Sequence, residues 1–582
     1  MSVNWIFYIS LLEKNTTLPL EEIVKMEKLK CLRFIGMPLL LLCPVLLFYI
    51  YIWQYAVNIP YMDDADLVDV VNHSQSGFRE FLAILFRQQN DHRVFFSRLG
   101  VLIPFWITGS IDFRLTILVG YINLIGLGYS IFLVFRSFEP RLWYFLPVSL
   151  LLFSPIVYQV HLWSITAYQY TLSIAFSIGA LYFLQKDLSR WWSLSIPFSM
   201  AASLTNLDGL GTLPVAFIWL LLQGRRRVAG YYLIFLLAYG TLFFVDFKLS
   251  GASQLSFGME GWLSLFKSIV AITGSLGKVI SDTYALSLAM ILGAAILLLY
   301  LSLKIWDLMG SNLAILSKRN FLEIDLVEIC FLRVLASAAM IAIGRHMDGI
   351  ENMLAIRFQI YSVSLVILFY LYILSRVELG RRVYVGSLTL GIAMFIGGYS
   401  YLKYSSAVDY YRAGLVADSY NFTARKLFLH QYFNLPDPQP WFYGHYRFPA
   451  YYNTAVFEKW SREEDTMRVL RKEDLKIVKI QNEAQYKHYI YPVLQFGLEN
   501  IPDSVHTKEA YLMLTSTTQK QESYLMALRP EGPRILFWGR EGTVKLVGEI
   551  PDKIPSTAYN LNLCWKAGDS TYVRAVGRNV SL

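Results

Sequence analysis

The sequence predicts a mostly α-helical, polytopic transmembrane bundle of about eleven spans, followed by a C-terminal extracytoplasmic α+β domain. Three observations predict it. Of the 582 residues, 55% are hydrophobic and 16% aromatic while only 16% are charged, a balance foreign to a soluble globule. Apolar runs, several long enough to cross a bilayer at roughly 20 residues each, recur from residue 34 to residue 400. Past residue 401 the long runs stop, and polar, Pro-punctuated sequence takes over.

Residues 1–33 hold a short apolar patch, WIFYISLL, followed by acids and lysines, and read as a cytoplasmic or interfacial lead-in rather than a cleavable signal peptide. The expected spans are 34–57, 113–135, 142–159, 166–184, 192–208, 211–223, 229–247, 283–303, 325–344, 358–375 and 383–400, with a re-entrant patch near 261–280. The net charge of +9 is scattered in short Lys and Arg clusters between apolar runs, which marks topology and gives no surface for nucleic acid. Those clusters fall before the first span and in alternate connections, including Arg136 with Arg141, Arg225 to Arg227, and Arg381 with Arg382. They place the N-terminus inside and the loops 58–112, 160–165, 248–282 and 345–357 outside, together with everything after 401. Cys31, Cys43, Cys330 and Cys564 are too few and too apolar in setting for a disulfide framework or a thiolate metal cage.

In the outer domain, 404–432 reads as helix and about 475–582 as short strands separated by turn signals, which suggests a small β-sandwich. The aromatic stretch LPDPQPWFYGHYRFPAYY is expected to pack this domain onto the membrane part, with stacking on sugar rings as the alternative. NFT at Asn421 matches a glycosylation acceptor in letters only.

Three outer segments carry chemistry. The first loop opens with IPYMDDADLVDV, bearing Asp63, Asp64, Asp66 and Asp69. An amphipathic stretch, GFREFLAILFRQ, follows it, then Asn90, Asp91, His92 and Arg93. The second segment, GRHMDGIENMLAIRFQIYS, contributes Arg345, His346, Arg357 and Tyr361; flanked by apolar residues, Arg357 calls for a phosphate or carboxylate partner. The third, SPIVYQVHLWSITAYQY, brings His161, Trp163, Tyr168 and Gln169 to the same face. The plainer readings are a solvated acidic loop, an ion pair between helices and an ordinary aromatic belt. Acids and cations at one water–lipid boundary suit the transfer of a sugar from a lipid phosphate. Cations stabilise the leaving group and a carboxylate takes the acceptor's proton.

The order of DDA at the end of the first span, NDHRVFFSRL, FSPIVYQ, LTNLDGLGTLP and AIRFQIYS resembles bacterial polytopic glycosyltransferases of the family C fold, relatives of the protein mannosyltransferases and the aminoarabinose transferase. The resemblance implies an inner-membrane enzyme with an undecaprenyl-phosphate-type sugar donor and transfer on the extracytoplasmic face, usually with inversion. The acceptor would be an envelope glycan, lipid or protein. It makes Asp63 or Asp64 the general base and His92, Arg93, Arg345 and Arg357 the donor-phosphate ligands. Asn90, Asp91, His161, Trp163, Gln169, His346 and Tyr361 are then candidates to bind substrate. Some members use a divalent cation, Mg or Mn, for which Asp63 and Asp64 are the available carboxylates. Phe358 stands where a hydroxyl-bearing side chain is expected. A transporter or flippase of lipid-linked saccharides and a non-catalytic glycan-binding assembly protein remain the rival readings.

Overall fold

The computed structural model describes residues 20–430 and 480–581, apart from 75–76, 186–190, 249–257, 310–321, 487–488, 499–508, 519–521, 531–545, 552–553, 556 and 568–569. Most of the lead-in expected over 1–33 and the aromatic stretch after Leu435 lie outside the described residues.

The chain is mostly helical. Among the described residues six helices are long and apolar enough to cross a membrane. They are the Gly36–Tyr55 part of α1 (Leu20–Tyr55), α5 (Phe113–Arg136), α13 (Ala285–Leu308), α14 (Leu326–Arg345), Ile356–Arg376 containing α15 (Gln359–Arg376), and α16 (Arg382–Lys403). A seventh is broken: Leu142–Leu152, containing α6 (Leu146–Leu152), meets Pro155–Leu162, containing α7 (Tyr158–Leu162), at 40°. The cause is Pro155, which forces Ser154 into an extended conformation, φ −146° and ψ 160°. Between α1 and α5 the outer loop folds as a 3-10 turn, Met62–Asp64, followed by α2 (Ala65–His73), α3 (Phe78–Phe86) and α4 (Phe95–Thr108).

The remaining expected spans differ in kind. α8 (Ser164–Gln185) is rich in Ser, Thr and Tyr and is buried along nearly all its length, so it forms the middle of the bundle rather than a lipid-facing span. The segments 192–208 and 211–223 form only α9 (Ser195–Ser203) and α10 (Thr212–Leu222). Nine residues rise about 14 Å, half the ~30 Å hydrocarbon core. The corner between them is a 3-10 turn, Leu207–Gly211, that meets the outer loop where the Phe95 N–H donates to the Leu204 carbonyl. Gly209 makes this corner possible, because a Cβ there would lie 2.0 Å from the Ala202 carbonyl oxygen. α11 (Arg226–Phe243) then returns to the outer loop, and α12 (Met259–Thr273) is the expected patch near 261–280.

The outer helix α17 (Ser405–Arg425) ends short of the expected 432, since Lys426 adopts φ 58° and closes the helix through its N–H to the Phe422 carbonyl. Among the described residues two four-stranded antiparallel sheets follow, β1-β2-β6-β5 and β4-β3-β7-β8. They are built from β1 (Ile480–Tyr486), β2 (Tyr489–Leu498), β3 (Ala510–Ser516), β4 (Ser523–Ala527), β5 (Arg529–Pro530), β6 (Leu546–Pro551), β7 (Ala558–Ala567) and β8 (Ser570–Ser581). Alternation along β3 explains how its sheet is buried twice. Tyr511 and Met513 pack on Val416 and Tyr420 of α17, whereas Leu512 and Leu514 share a core with Leu546 of the other sheet. Asn421 ties helix to sheet by exchanging hydrogen bonds with both backbone groups of Leu525, each at 2.8 Å. The C-terminal domain rests on the helical part through Tyr411, whose hydroxyl donates to the Leu162 carbonyl at 3.2 Å and whose ring meets Tyr61 at 5.0 Å.

Candidate functional site

The four acids at the end of the first span have three different occupations. Asp66 pairs with Arg98 at 3.0 Å and with Arg87 at 2.7 Å, and Asp69 pairs with Arg87 and His73. Both acids therefore hold α2, α3 and α4 together. Asp64 is 1% exposed, and its carboxylate accepts the Ile165 N–H at 2.9 Å and the Tyr61 N–H at 3.0 Å. It fastens the loop to the start of α8. Burial raises the Asp64 carboxyl to about 7, against the two N–H donors that favour its charge and with adjacent Asp63 adding to the rise. Asp63 alone is exposed. It acts electrostatically on the Tyr170 hydroxyl, and so do Arg345, Arg357 and Asp208. Two acids and two cations from separate parts of the chain thus bear on one phenol.

The two arginines gather at one ring. Arg345, the last residue of α14, lies 5.6 Å from the centroid of Phe358, and Arg357 lies 5.0 Å from it. Phe358 therefore does more than remove a hydroxyl: its buried face steadies two guanidiniums. Among the described residues Arg357 forms no salt bridge, so the ion pair that would explain it structurally is not there. The ring of Phe358 also meets Tyr170 at 6.1 Å, and Tyr170 meets Tyr361 at 6.0 Å.

The 88–93 segment separates its predicted residues. A tight turn pairs Gln89 with His92 and gives Asn90 a positive φ of 48°. His92 faces inward, with Asp91, Asp208 and Arg345 in electrostatic reach, and its Nδ1 accepts the Leu207 N–H at 3.3 Å. Burial chiefly, helped by Arg345, lowers the His92 imidazole to about 4. The expected cationic phosphate ligand is thus a neutral ring at pH 7, with Nε2–H free in chemistry to donate. Arg93 faces the other way. Its guanidinium donates to the carbonyls of Phe86, Phe243 and Val245 and stacks on Phe243. That is a clamp on the end of α11 and not a phosphate site. Asn90 lines the same outer side.

Below the cluster lies a buried polar network that gives Gln169 and Tyr361 their role. Gln169 donates to Asn206 at 3.1 Å, and Asn206 donates to Tyr361 at 3.2 Å and to Asp208 at 2.6 Å. Asp208 also accepts from Ser173 and Ser337, and its backbone carbonyl accepts from Arg333 at 2.6 Å. Sequence reasoning passed over Tyr170, Asn206, Asp208 and Arg333. A usable signal existed for two of them, since an acid at 208 and an arginine at 333 interrupt apolar runs where unpaired charge is costly.

Three candidates lie away from any open surface. His161 is fully buried between Phe48 and Tyr121, and neither ring nitrogen has a hydrogen-bond partner among the described residues. Trp163 is buried edge-on to Tyr61, which makes it a packing residue of the Asp64 loop. His346 is buried, its Nδ1–H directed to the Ile343 carbonyl of its own helix. Tyr168 donates to the Thr116 carbonyl inside the bundle. Nor does the acid pair suit a hard cation, because both Asp64 oxygens accept backbone N–H groups and leave Asp63 as the main donor. Among the described residues no three His, Cys, Asp or Glu side chains gather as a metal's ligands.

Comparison with known proteins adds no kinship: no family profile, curated protein or solved structure matches the chain.

The Asp64 carboxyl carries a pH prediction. Its folded value lies above the ordinary 3.8, so the stability it contributes is fully present below pH ~4 and is lost as pH rises through about 7. The thermal midpoint is therefore expected to fall as pH rises through about 7 in the wild type. In Asp64→Asn that dependence should vanish.

Proposed function

We propose that the protein is a membrane glycosyltransferase. It moves a sugar from a polyprenyl-phosphate donor to an envelope glycan, lipid or protein on the extracytoplasmic face. One observation carries the reading: Arg345 and Arg357 converge at Phe358 within electrostatic reach of the same tyrosine as exposed Asp63. In this reading Asp63 takes the proton of the acceptor hydroxyl as its oxygen bonds to the anomeric carbon. The carbon–oxygen bond to the phosphate breaks, its electron pair leaves with the phosphate, and the two guanidiniums hold the charge that develops there. Attack opposite the leaving group inverts the anomeric centre. Neutral His92 supplies an N–H to the same region, and Asp64 positions the loop. Six intact apolar helices and one broken pair support the reading as the membrane scaffold that carries these side chains.

Envelope glycans from a deletion strain, compared by mass spectrometry, test the proposal. Complementation with wild type should restore a sugar-sized mass, and Arg357→Ala should lower its amount by about a hundredfold, the scale of losing one phosphate-stabilising donor. Arg93→Ala, at equal membrane expression, should reduce the thermal midpoint while still restoring the glycan. If Arg93→Ala abolishes transfer and Arg357→Ala does not, the phosphate site has been placed wrongly. A flippase would draw support from the depth of the Asp208–Arg333 network, and it predicts transport without any new glycosidic bond.

A further inference from the structure

Between α3, the 88–93 segment, α9 and α11 lies a groove of about 1040 Å³, at the top of the ordinary ligand-pocket range of roughly 300–1,000 Å³. Its walls include Phe86, Met200, Leu204, Leu242 and Phe243. Two polar clasps fix the spacing of those walls. The Gln88 amide exchanges hydrogen bonds with both backbone groups of Lys248, and Arg93 binds the carbonyls at the end of α11. The groove is therefore preformed. Its lining includes exposed apolar side chains, Phe86 at 41%, Leu242 at 67% and Val245 at 51%. Such a surface belongs against hydrocarbon and not against water. The rim carries both signs. Lys248 and Asp246 are exposed there, and Lys248 forms no salt bridge among the described residues.

From this we infer a lipid site separate from the Asp63 cluster. A phospholipid with a zwitterionic aminoalkyl-phosphate head lays one acyl chain in the groove, sets its phosphate beside Lys248 and directs its ammonium to Asp246. A uniformly cationic rim would select an anionic head instead; the paired signs select a zwitterion. The 88–93 segment is the partition between this groove and the cluster, with Asn90 and Arg93 on one side and His92 on the other.

Native mass spectrometry of the full chain, released from nanodiscs of equal phosphatidylethanolamine and phosphatidylglycerol, tests the site with no sugar donor present. Its outcome is thus independent of the transferase reading. The wild type should retain one phosphatidylethanolamine. Lys248→Gln should cut that retention about fivefold, the scale of one surface lysine at a phosphate. Asp246→Asn, a residue type that tolerates the φ of 58° found there, should erase the preference over phosphatidylglycerol. Leu242→Arg, on an exposed wall position, should release the lipid without unfolding the bundle, as an unchanged thermal midpoint would verify. Retention of phosphatidylglycerol over phosphatidylethanolamine by the wild type, or undiminished retention by Leu242→Arg, would overturn the site.

Discussion

Asp63→Asn is expected to lower sugar transfer by about a thousandfold, the usual range for removing a general base, while leaving the protein folded. Asp66 and Asp69 are bound by arginines and Asp64 by two backbone N–H groups, so neutralising any of these disturbs the loop before it disturbs chemistry. Asp63 is exposed, and its replacement removes a negative charge that bears on the same Tyr170 hydroxyl as Arg345 and Arg357. Donor binding should therefore hold or tighten in Asp63→Asn as the turnover collapses, a split visible when rate and donor saturation are measured separately. Asp64→Asn should show a smaller loss together with a lower thermal midpoint. Full glycan restoration by Asp63→Asn would remove the base from the mechanism and favour the glycan-binding assembly reading.

The second large effect is on stability. Arg333→Met is expected to cost about 3–5 kcal/mol, because it removes the countercharge 4.0 Å from the buried Asp208 carboxylate and leaves the Asp208 carbonyl without its guanidinium donor. Arg333 is 1% exposed and Asp208 3%, and the guanidinium also binds Thr212 at 3.0 Å. Together these groups hold the corner between the two short helices α9 and α10. Asp208→Asn should cost less, since the amide oxygen still accepts from Ser337 or Ser173. The double variant should be milder than the sum of the singles, the signature of groups in one network. Thermal midpoints in detergent would measure all three. Simple additivity would mean that Asp208 and Arg333 stabilise the bundle independently.

The helical membrane character was legible because it is local: apolar runs and their lengths are properties of neighbouring residues, and the change of composition after 401 marks the outer sheets as plainly. The acidic lip, the paired outer arginines and Gln169 with Tyr361 were legible as residues worth attention, since ionisable groups beside apolar runs must be solvated, paired or functional. Pairing across distance was not legible. Asp66 finds Arg87 and Arg98 on later helices of the same loop, and Asp208 meets Ser337 from a helix 129 residues away. Arg93 and Arg357 look alike in sequence, each an arginine beside apolar neighbours. One turns to three carbonyls of the chain and the other to a ring it shares with Arg345. Burial lowers the His92 imidazole, and its polar neighbours in sequence do not announce that burial. The sequence by itself determined the membrane class, the C-terminal sheets and the set of ionisable residues beside the apolar runs. Only the tertiary structure decided which of them are partnered and which face one another, because a charge in a buried setting is governed by whatever distant segment packs against it.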